Sequence, residues 1–480
     1  MTSVAVVGAG FGGVGAAAML RRAGYDDVTV FEKGERVGGV WHHNTYPGAA
    51  CDVPSHLYEF SFAPNPDWSR RYAPQAEIQA YLERVAAEHG ILDKIRLSTE
   101  VLSASWSESE NRWRLRTSVG EHEADVLLTA CGQLSVPSIP PIPGEFAGPA
   151  FHTAQWRHDV AVEGKRVAVI GTGCSAIQTV PAIQPIVSQL DVYQRSAGWT
   201  FPRMDFAYSE RTKRLLRRFP ALQRLDRASI FAFHELGAAA MTDKPWLLPF
   251  FREFGRLQIK RAVKDPELRR KVTPTDVVGC KRVMVTDDWY PALTQPNVSL
   301  ITDAVELFTP AGVRTRDGSE RPADVVVFAT GFATHGFVAP MEITGAGGRT
   351  LAEEWREVPR AYLGLTVPGF PNMFLIYGPN TNGGTGSVIY TIEAGINHVL
   401  AALRTLDAAR ARTIEVRREA FEAFDRRLRD ALSGTVWHTG CTSWYVDENG
   451  NDPNQWPWLW REYRRETERI APGAYTLSAA

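Results

Sequence analysis

Residues 4–13, VAVVGAGFGG, decide the fold, because an apolar run leads directly into Gly8, Gly10 and Gly13. The four residues before Gly8 are Val or Ala, the composition of a buried strand, and a helix is expected over residues 12–22. Glycines between a strand and a helix let the backbone approach a pyrophosphate at the helix N-terminus. The spacing therefore predicts a dinucleotide site of the Rossmann type.

A second loop of the same design follows later in the chain. Residues 167–176 read VAVIGTGCSA, with Gly171, Gly173 and Ala176 at the spacing of the first three glycines. A lone loop of this kind is often an ordinary turn, but two loops in the same strand and helix context favour two dinucleotide sites. Ser175 lies inside the second loop and is predicted to contact its nucleotide.

The residue 24 positions after the first glycine carries opposite charge in the two copies, as Glu32 and Arg195. A carboxylate at the end of the second strand accepts hydrogen bonds from ribose hydroxyls, whereas a guanidinium suits a 2′-phosphate. The chain is thus predicted to bind two nucleotides. The first site suits the adenosine half of FAD or NAD, and the second suits NADP.

The duplication extends beyond the loops. Residues 124–132, ADVLLTACG, and residues 323–331, ADVVVFATG, share the pattern A-D-V-x-x-x-A-x-G. Each segment is predicted to supply a closing strand to its own nucleotide-binding sheet. The predicted fold class is α/β, with two Rossmann-like dinucleotide-binding domains and an inserted helical subdomain.

The predicted division assigns residues 1–140 and 333–480 to the FAD-binding domain and residues 146–200 and 279–332 to the NADP-binding domain. A proline-rich stretch separates the first parts of the two domains, because successive prolines favour extended chain. Residues 201–278 have helical spacing and form the insert. The insert either covers a substrate pocket or packs as scaffold, and the sequence leaves both open.

The composition argues against several classes of partner. With 53 basic and 54 acidic residues, the net charge of −1 gives no reason to expect nucleic acid or a membrane as partner. The five cysteines stand singly, so neither a disulfide framework nor a zinc site is predicted, and the adjacent His42 and His43 offer no closed set of metal ligands. Without a leader or a spanning apolar run, the chain is expected to be cytoplasmic. The oligomeric state stays open, with a monomer as the simplest expectation.

Two longer motifs resemble those of type I Baeyer–Villiger monooxygenases. Residues 146–156, FAGPAFHTAQW, fit F-x-G-x-x-x-H-x-x-x-W, and residues 38–52, GGVWHHNTYPGAACD, fit G-G-x-W-x-x-x-x-Y-P-G-x-x-x-D. The resemblance covers nearly the whole chain and is strongest to the aryl-ketone monooxygenase branch. It implies FAD in the first site and NADPH in the second. It also implies that a ketone and dioxygen yield an ester or lactone through a flavin C4a-peroxide.

A nucleophilic oxygen anion on a buried ligand needs a cation that keeps its proton, and Arg has a pKa above about 12. By resemblance Arg282 takes this role, with Asp52 as the carboxylate that orients it. His152 either acts as a base or couples domain movement by hydrogen bonds, and we favour coupling. Trp156 is expected to pack beside His152, and Trp444 is expected to line the substrate pocket.

The predicted cofactor contacts extend beyond the loop residues Gly8, Gly10, Gly13, Glu32, Gly171, Gly173 and Ser175. They comprise Gly39, Trp41, Tyr46, Asp52, Val101 and Asn380 for FAD, and Arg195, Ser196 and Lys281 for the 2′-phosphate of NADP.

Three other functions fit parts of the same sequence. A flavin monooxygenase that oxidises nitrogen or sulfur uses a similar scaffold, although Arg282 paired with Asp52 argues against it. A disulfide reductase needs vicinal cysteines, which this sequence lacks. A flavoprotein that only senses redox state would bind the same nucleotides without turnover.

Overall fold

The computed structural model describes residues 2–479 and contains two nucleotide-binding sheets, smaller sheets and a helical insert. The strands are β1 Val4–Val7, β2 Val28–Phe31, β3 Ile95–Arg96, β4 Val101–Ser107, β5 Arg112–Thr117, β6 Gly120–Ala124, β7 Val126–Thr129, β8 Ala150–His152, β9 Arg166–Ile170, β10 Gln189–Tyr193, β11 Thr200–Phe201, β12 Met284–Val285, β13 Val298–Ile301, β14 Val305–Thr309, β15 Gly312–Thr315, β16 Glu320–Pro322, β17 Val325–Phe328, β18 Glu342–Thr344, β19 Met373–Leu375, β20 Thr413–Val416 and β21 Tyr475–Ser478. The α-helices are α1 Phe11–Arg22, α2 Val40–His43, α3 Gln75–Glu88, α4 Ala176–Ile183, α5 Glu210–Arg218, α6 Pro220–Met241, α7 Leu248–Ala262, α8 Pro266–Val272, α9 Trp289–Leu293, α10 Leu351–Glu354, α11 Val388–Ala409, α12 Arg418–Ser433 and α13 Trp460–Thr467.

The first large sheet has the parallel strand order β19-β7-β1-β2-β3. Val7 lies opposite Phe31 on one side and Thr129 on the other, so the strand that enters the first glycine loop is central. Buried residues of α1, α3 and α11 share one hydrophobic core with this sheet. Coverage of both faces explains why β1 and β7 are almost entirely apolar.

The second large sheet repeats this arrangement with the parallel order β13-β10-β9-β17-β8. Ile170 lies opposite Tyr193 and Phe328, so the strand before the second glycine loop is central as well. The two A-D-V segments supply β7 and β17, each next to the central strand of its sheet. The prediction that each segment supplies a strand to its own sheet is therefore confirmed, but neither strand closes its sheet, because β19 lies beyond β7 and β8 lies beyond β17.

The remaining strands form smaller, separate sheets. One is a four-stranded sheet of order β18-β4-β5-β6, and another is an antiparallel sheet of order β14-β15-β16. Helices α5 to α8 occupy the chain between β11 and β12, and these two short strands pair with each other. The predicted helical insert is thus observed as helices, while the exact domain boundaries stay a prediction.

Candidate functional site

The first glycine loop joins the carboxyl end of β1 to α1. Gly8 has a φ of +103°, and a Cβ on it would lie 2.5 Å from the carbonyl oxygen of Ala130. A Cβ on Gly13 would collide with the carbonyl oxygen of Gly8. Helix α1 begins at Gly10 without a side-chain N-cap, so its first N–H groups remain available to a ligand. Gly8 and Gly13 thus allow the loop backbone to pack directly against neighbouring carbonyl groups, which leaves the helix N-terminus open in front of the loop.

Glu32 follows β2 and is held against the same loop. Its Oε2 accepts a hydrogen bond from the Ala9 N–H at 2.8 Å, and its Oε1 accepts one from the Gly34 N–H at 2.7 Å. The side chain is buried. The Thr99 N–H donates to the Glu32 carbonyl oxygen at 2.8 Å, which brings the start of β4 at Val101 toward this acceptor.

The G-G-x-W motif packs on the first loop from the side. The Gly38 N–H donates to the Ala9 carbonyl oxygen at 2.9 Å, and the Cα of Gly39 is the closest atom to a Cβ built on Gly10, at 3.6 Å. Trp41 lies in the short helix α2 and donates its indole N–H to the Tyr58 hydroxyl at 3.1 Å. The structure therefore brings Gly39 beside Gly10, with Trp41 in the helix that Gly39 caps.

The second glycine loop has the same backbone and more open surroundings. Gly171 has a φ of +108°, close to that of Gly8, and a Cβ on it would collide with the Ala329 carbonyl oxygen. A Cβ on Gly173 would meet no described atom within 4 Å. Ser175 stands at the N-cap of α4, and its side chain makes no capping bond. The loop therefore offers a cradle in front of a helix N-terminus.

Three predicted contacts to the 2′-phosphate lie beyond β10. Arg195 and Ser196 are exposed, and the Lys281 Nζ lies 3.0 Å from the Ser196 Oγ. The same ammonium group forms an ion pair with Asp276 at 2.5 Å. The structure thus places Lys281 next to Ser196, in the segment that follows β10 and contains Arg195.

Arg282 and Asp52 form an ion pair. The Arg282 Nε and Nη2 donate to the Asp52 Oδ2 at 3.1 and 2.5 Å, and the two side chains are 28% and 26% exposed. The Asp52 carboxylate raises the pKa of Arg282 well above its usual value, against an opposing effect of burial. The guanidinium is therefore oriented and permanently charged.

Neutral side chains complete the surroundings of Arg282. Burial raises the pKa of the Cys174 thiol and raises that of Tyr377 to about 12, although the guanidinium lowers both. Burial also raises the pKa of Tyr445. These groups keep their protons near neutral pH, so Asp52 supplies the negative charge that faces Arg282.

Tyr46 links the first nucleotide domain to α4 of the second. Its hydroxyl donates to the Gln178 Oε1 at 2.9 Å, and the Gln178 Nε2 donates to the Ala50 carbonyl oxygen at 3.0 Å. Burial raises the pKa of Tyr46 to about 12, so the hydroxyl remains a donor. This contact joins the segment after the G-G-x-W motif to the helix that follows the second glycine loop.

Comparison with known proteins places this geometry in a family. A family model described as pyridine nucleotide-disulphide oxidoreductase matches residues 5–228. A Baeyer–Villiger monooxygenase of Streptomyces coelicolor is 43% identical over 478 residues, which cover 99% of this chain and 92% of that protein. A Baeyer–Villiger monooxygenase of Pseudomonas aeruginosa is 41% identical over 480 residues, with coverage of 99% and 91%. The chain belongs to the Baeyer–Villiger monooxygenase family.

Solved structures of monooxygenases share the fold. An oxidized steroid monooxygenase bound to NADP has a TM-score of 0.89 and 32% identity, covering 100% of this chain and 99% of that one. A cyclohexanone monooxygenase from Rhodococcus sp. Phi1 bound to NADP+ has a TM-score of 0.88 and 28% identity, with the same coverage. These likenesses confirm the predicted fold class and the prediction of a flavoprotein monooxygenase of the Baeyer–Villiger type.

The single placement of the cysteines predicted no disulfide framework, but the structure contains one disulfide. Cys280 and Cys441 form a disulfide, with their Cα atoms 6.3 Å apart and 161 positions between them in sequence. Both lie in the hydrophobic cluster that contains Tyr445 and Trp456, so packing of the C-terminal segment brings the sulfurs together. Spacing along the chain carries no sign of this, because the contact depends on tertiary topology.

Two residues that were predicted to bind FAD or line the substrate pocket make contacts that the sequence did not predict. The Asn380 Nδ2 donates to the carbonyl oxygens of Asp452 and Gln455 at 2.8 and 3.0 Å. These bonds connect the loop between β19 and α11 to the C-terminal segment. Trp444 is partly buried and stacks near Tyr445, with ring centroids 4.3 Å apart. Tyr445 lies close enough to Arg282 for the guanidinium charge to oppose the rise in the pKa of its hydroxyl. Trp444 precedes Tyr445 in the chain and therefore lies next to the surroundings of the ion pair. The roles of Asn380 toward FAD and of Trp444 toward substrate stay predictions.

His152 lies away from the Arg282–Asp52 pair in its contacts. It is fully buried on β8, its Nδ1 accepts from the Ala154 N–H at 3.1 Å, and its ring packs on Phe332 at 5.5 Å. Burial lowers its pKa. No hydrogen bond among residues 2–479 joins His152 to the ion pair. Trp156, which was expected to pack beside His152, packs on Phe151. These contacts fit the predicted coupling role better than a role as base.

Sequence reasoning missed two polar contacts near the site. Gln178, which bonds to Tyr46, lies inside α4 one turn after the glycine loop, and an amide in an otherwise apolar helix is a usable signal. His234 on α6 contacts the hydroxyl of Thr385 at 2.8 Å and accepts from the Gly386 N–H at 3.2 Å. Burial lowers the pKa of His234 to about 4, so this contact between the insert and the loop between β19 and α11 is uncharged near neutral pH.

Two further features are absent from residues 2–479. No helix is both long and apolar enough to cross a membrane. No group of three or more His, Cys, Asp or Glu side chains is arranged to hold a metal ion.

Proposed function

We propose that this monooxygenase converts a ketone to an ester or lactone, with FAD as resident cofactor and NADPH and dioxygen as co-substrates. One oxygen atom enters the product and the other leaves as water, while NADPH supplies two electrons and a further proton comes from solvent. The Arg282–Asp52 ion pair carries the proposal. Solved relatives are described as complexes with FAD and NADP, among them an OTEMO structure at 25% identity with a TM-score of 0.87.

The residues present fit two dinucleotides. Glu32 is already positioned on the first loop, with lone pairs left for ribose hydroxyls. At the second loop, the open space in front of Gly173 and the uncapped start of α4 suit a pyrophosphate. When bound, NADPH supplies hydride and FAD supplies the two-electron chemistry that activates dioxygen. Arg195, Ser196 and Lys281 would hold the 2′-phosphate.

The chain's own contribution to the reaction is electrostatic. Arg282 presents a cation that keeps its proton, and Asp52 fixes its direction through two hydrogen bonds to one carboxylate oxygen. A guanidinium held this way stabilises negative charge as it develops on oxygen at the substrate carbonyl, without reorganisation at that moment. The neutral Cys174, Tyr377 and Tyr445 leave its charge free to act on the substrate.

Several finer statements stay predictions from the sequence. A cytoplasmic location, a monomeric state and the role of the insert over a substrate pocket are among them. Oxidation of nitrogen or sulfur remains the alternative activity, and no contact described above favours it over ketone oxidation.

The decisive experiment compares Arg282→Ala with the wild-type enzyme and with Arg166→Ala. Arg166, at the amino-terminal end of β9, pairs with Asp324 at 2.7 Å and serves as the matched ion-pair control. Enzymes are given NADPH and a panel of aryl, cyclic and terpenoid ketones, and products are analysed by mass spectrometry with labelled dioxygen. We expect Arg282→Ala to retain FAD and flavin reduction but to lose ester formation by about 100-fold or more, the scale for removing an oxyanion stabiliser. Ester formation by Arg282→Ala at the wild-type rate would overturn the role of Arg282. A wild-type enzyme that forms no ester from any ketone, but oxidises a thioether or a tertiary amine offered in a separate assay, would favour the alternative.

A further inference from the structure

Helix α6 carries an exposed apolar stripe on the face that does not pack against the protein. Leu222, Leu225, Phe233 and Leu236 are 41%, 68%, 66% and 48% exposed. Their spacing of three, eight and three residues places them within roughly 100° around the helix axis. The buried Ile230, which belongs to the core of the first sheet, lies about 100° around the helix axis from the centre of this stripe. The four apolar side chains therefore share one exposed side of the helix, with the exposed Ser229 between Leu225 and Phe233.

Helix α7 and the turn before it carry a second stripe of this kind. Trp246, Phe250, Phe254 and Leu257 are 73%, 71%, 46% and 44% exposed. The last three recur at intervals of four and three residues, so they share one helical face. On the other face Ile259 is buried in the core of the second sheet. Each helix thus uses one apolar face for the core and presents another to solvent.

The concentration of apolar side chains in this part of the chain is unusual. All six exposed Phe and Trp side chains among residues 2–479 lie between positions 206 and 254. Single exposed apolar residues need no explanation, but contiguous apolar faces mark surfaces that bind a partner or a membrane.

The charge of the same segment identifies the kind of partner. Residues 209–272 contain 16 Lys and Arg against 7 Asp and Glu, a net charge of +9, whereas the whole chain carries −1. The ion pairs of the segment involve Lys213, Arg217, Arg227, Arg252, Arg256 and Lys271. The other ten basic side chains have no carboxylate within 4.0 Å among the described residues. A second copy docking face to face would bring two such cationic segments together, which like-charge repulsion opposes.

We propose that residues 209–272 dock on the surface of an anionic lipid bilayer. The Leu, Phe and Trp side chains of α6, α7 and the turn between them enter the headgroup region, and the unpaired Lys and Arg bind lipid phosphates. Amphipathic helices with aromatic and Leu side chains flanked by basic residues bind membranes in this way. The net charge of −1 for the whole chain gave no reason to expect a membrane partner. That value averages over all residues, so it does not show the positive charge of this segment. Binding is peripheral, since no described helix could span a bilayer.

The test uses the FAD-loaded full-length enzyme and sedimentation with vesicles of phosphatidylcholine, alone or mixed with phosphatidylglycerol. We expect cosedimentation with the mixed vesicles at low salt, a loss on addition of salt, and at least about tenfold weaker binding to phosphatidylcholine alone. The double variant Phe233→Ser with Phe250→Ser should lose about tenfold or more of the binding to mixed vesicles. Val119→Ser is the matched control, because Val119 is 74% exposed outside the segment, and it should bind like wild type.

Two results would overturn the proposal. The first is an absence of cosedimentation with the mixed vesicles, or equal binding by the double variant and wild type. The second is a dimer in analytical ultracentrifugation that Phe233→Ser with Phe250→Ser dissociates, since it would assign the face to a second copy of this chain. Retention of FAD and of NADPH oxidation by the variants shows that each result comes from folded enzyme.

Discussion

The two glycine loops share a backbone but differ in how their charged acceptors are held. In the first, Glu32 is buried and bound by two backbone N–H groups. In the second, Arg195 is exposed, and its neighbour Ser196 contacts Lys281 at a rim of the molecule. A preorganised acceptor reduces the ordering cost of binding, whereas an exposed, flexible side chain orders only when its ligand arrives. The difference fits a permanently bound nucleotide at the first loop and an exchanging one at the second.

Replacing one glycine in each loop should give the largest contrast. Gly13→Ala places a Cβ against the Gly8 carbonyl oxygen, so we expect the protein to lose FAD or fail to accumulate. Gly173→Ala adds a Cβ that meets no described atom within 4 Å, so this variant should fold with full FAD content and bind NADPH more weakly. Flavin absorbance and NADPH titration measure the two effects. Similar FAD loss in both variants would remove the distinction between a resident and an exchanging site.

A smaller effect is expected at the acceptor of the second loop. Arg195→Ala removes a charge-assisted contact worth about 1.5–3 kcal/mol, so the KM for NADPH should rise about 10- to 100-fold. The KM for NADH, which lacks the 2′-phosphate, should change little. Steady-state kinetics with both coenzymes give the comparison, and FAD content serves as the control for folding. An equal rise for NADPH and NADH would contradict the assignment.

The smallest effect concerns the neighbouring hydroxyl. Ser196→Ala removes one neutral hydrogen-bonding group, with a net value of about 0.5–1.5 kcal/mol, so the KM for NADPH should rise only about two- to tenfold. The Lys281 ammonium keeps its ion pair with Asp276 in this variant. An effect larger than that of Arg195→Ala would mean that Ser196, and not Arg195, dominates recognition at this rim.

The sequence predicted the parts of the fold that depend on local pattern. β1 occupies the apolar residues 4–7 that were predicted, because an apolar strand that ends at a glycine is defined by adjacent positions. The site pair Arg282 and Asp52, expected from the family resemblance, lies in direct contact although the residues are 230 positions apart in sequence. In this case family motifs supplied the long-range information that periodicity lacks.

Contacts outside such motifs were not predictable. The disulfide between Cys280 and Cys441 and the bond between Tyr46 and Gln178 each join segments whose proximity depends on the packing of whole domains. Asn380 was expected to face FAD, yet its amide is engaged with two backbone carbonyls of the C-terminal segment. An Asn side chain satisfies whichever polar groups the fold brings near it, and sequence type alone does not identify them.

The Arg282–Asp52 ion pair has a consequence for the order of events in turnover. Its cation stands just before β12, beside the second nucleotide sheet, and its anion follows the motif that packs on the first. Any motion that parts these two bodies to let a coenzyme leave also withdraws the carboxylate from the guanidinium. If the coenzyme leaves by such a motion, the guanidinium loses its orienting carboxylate at the same moment, and oxygen transfer would have to precede release.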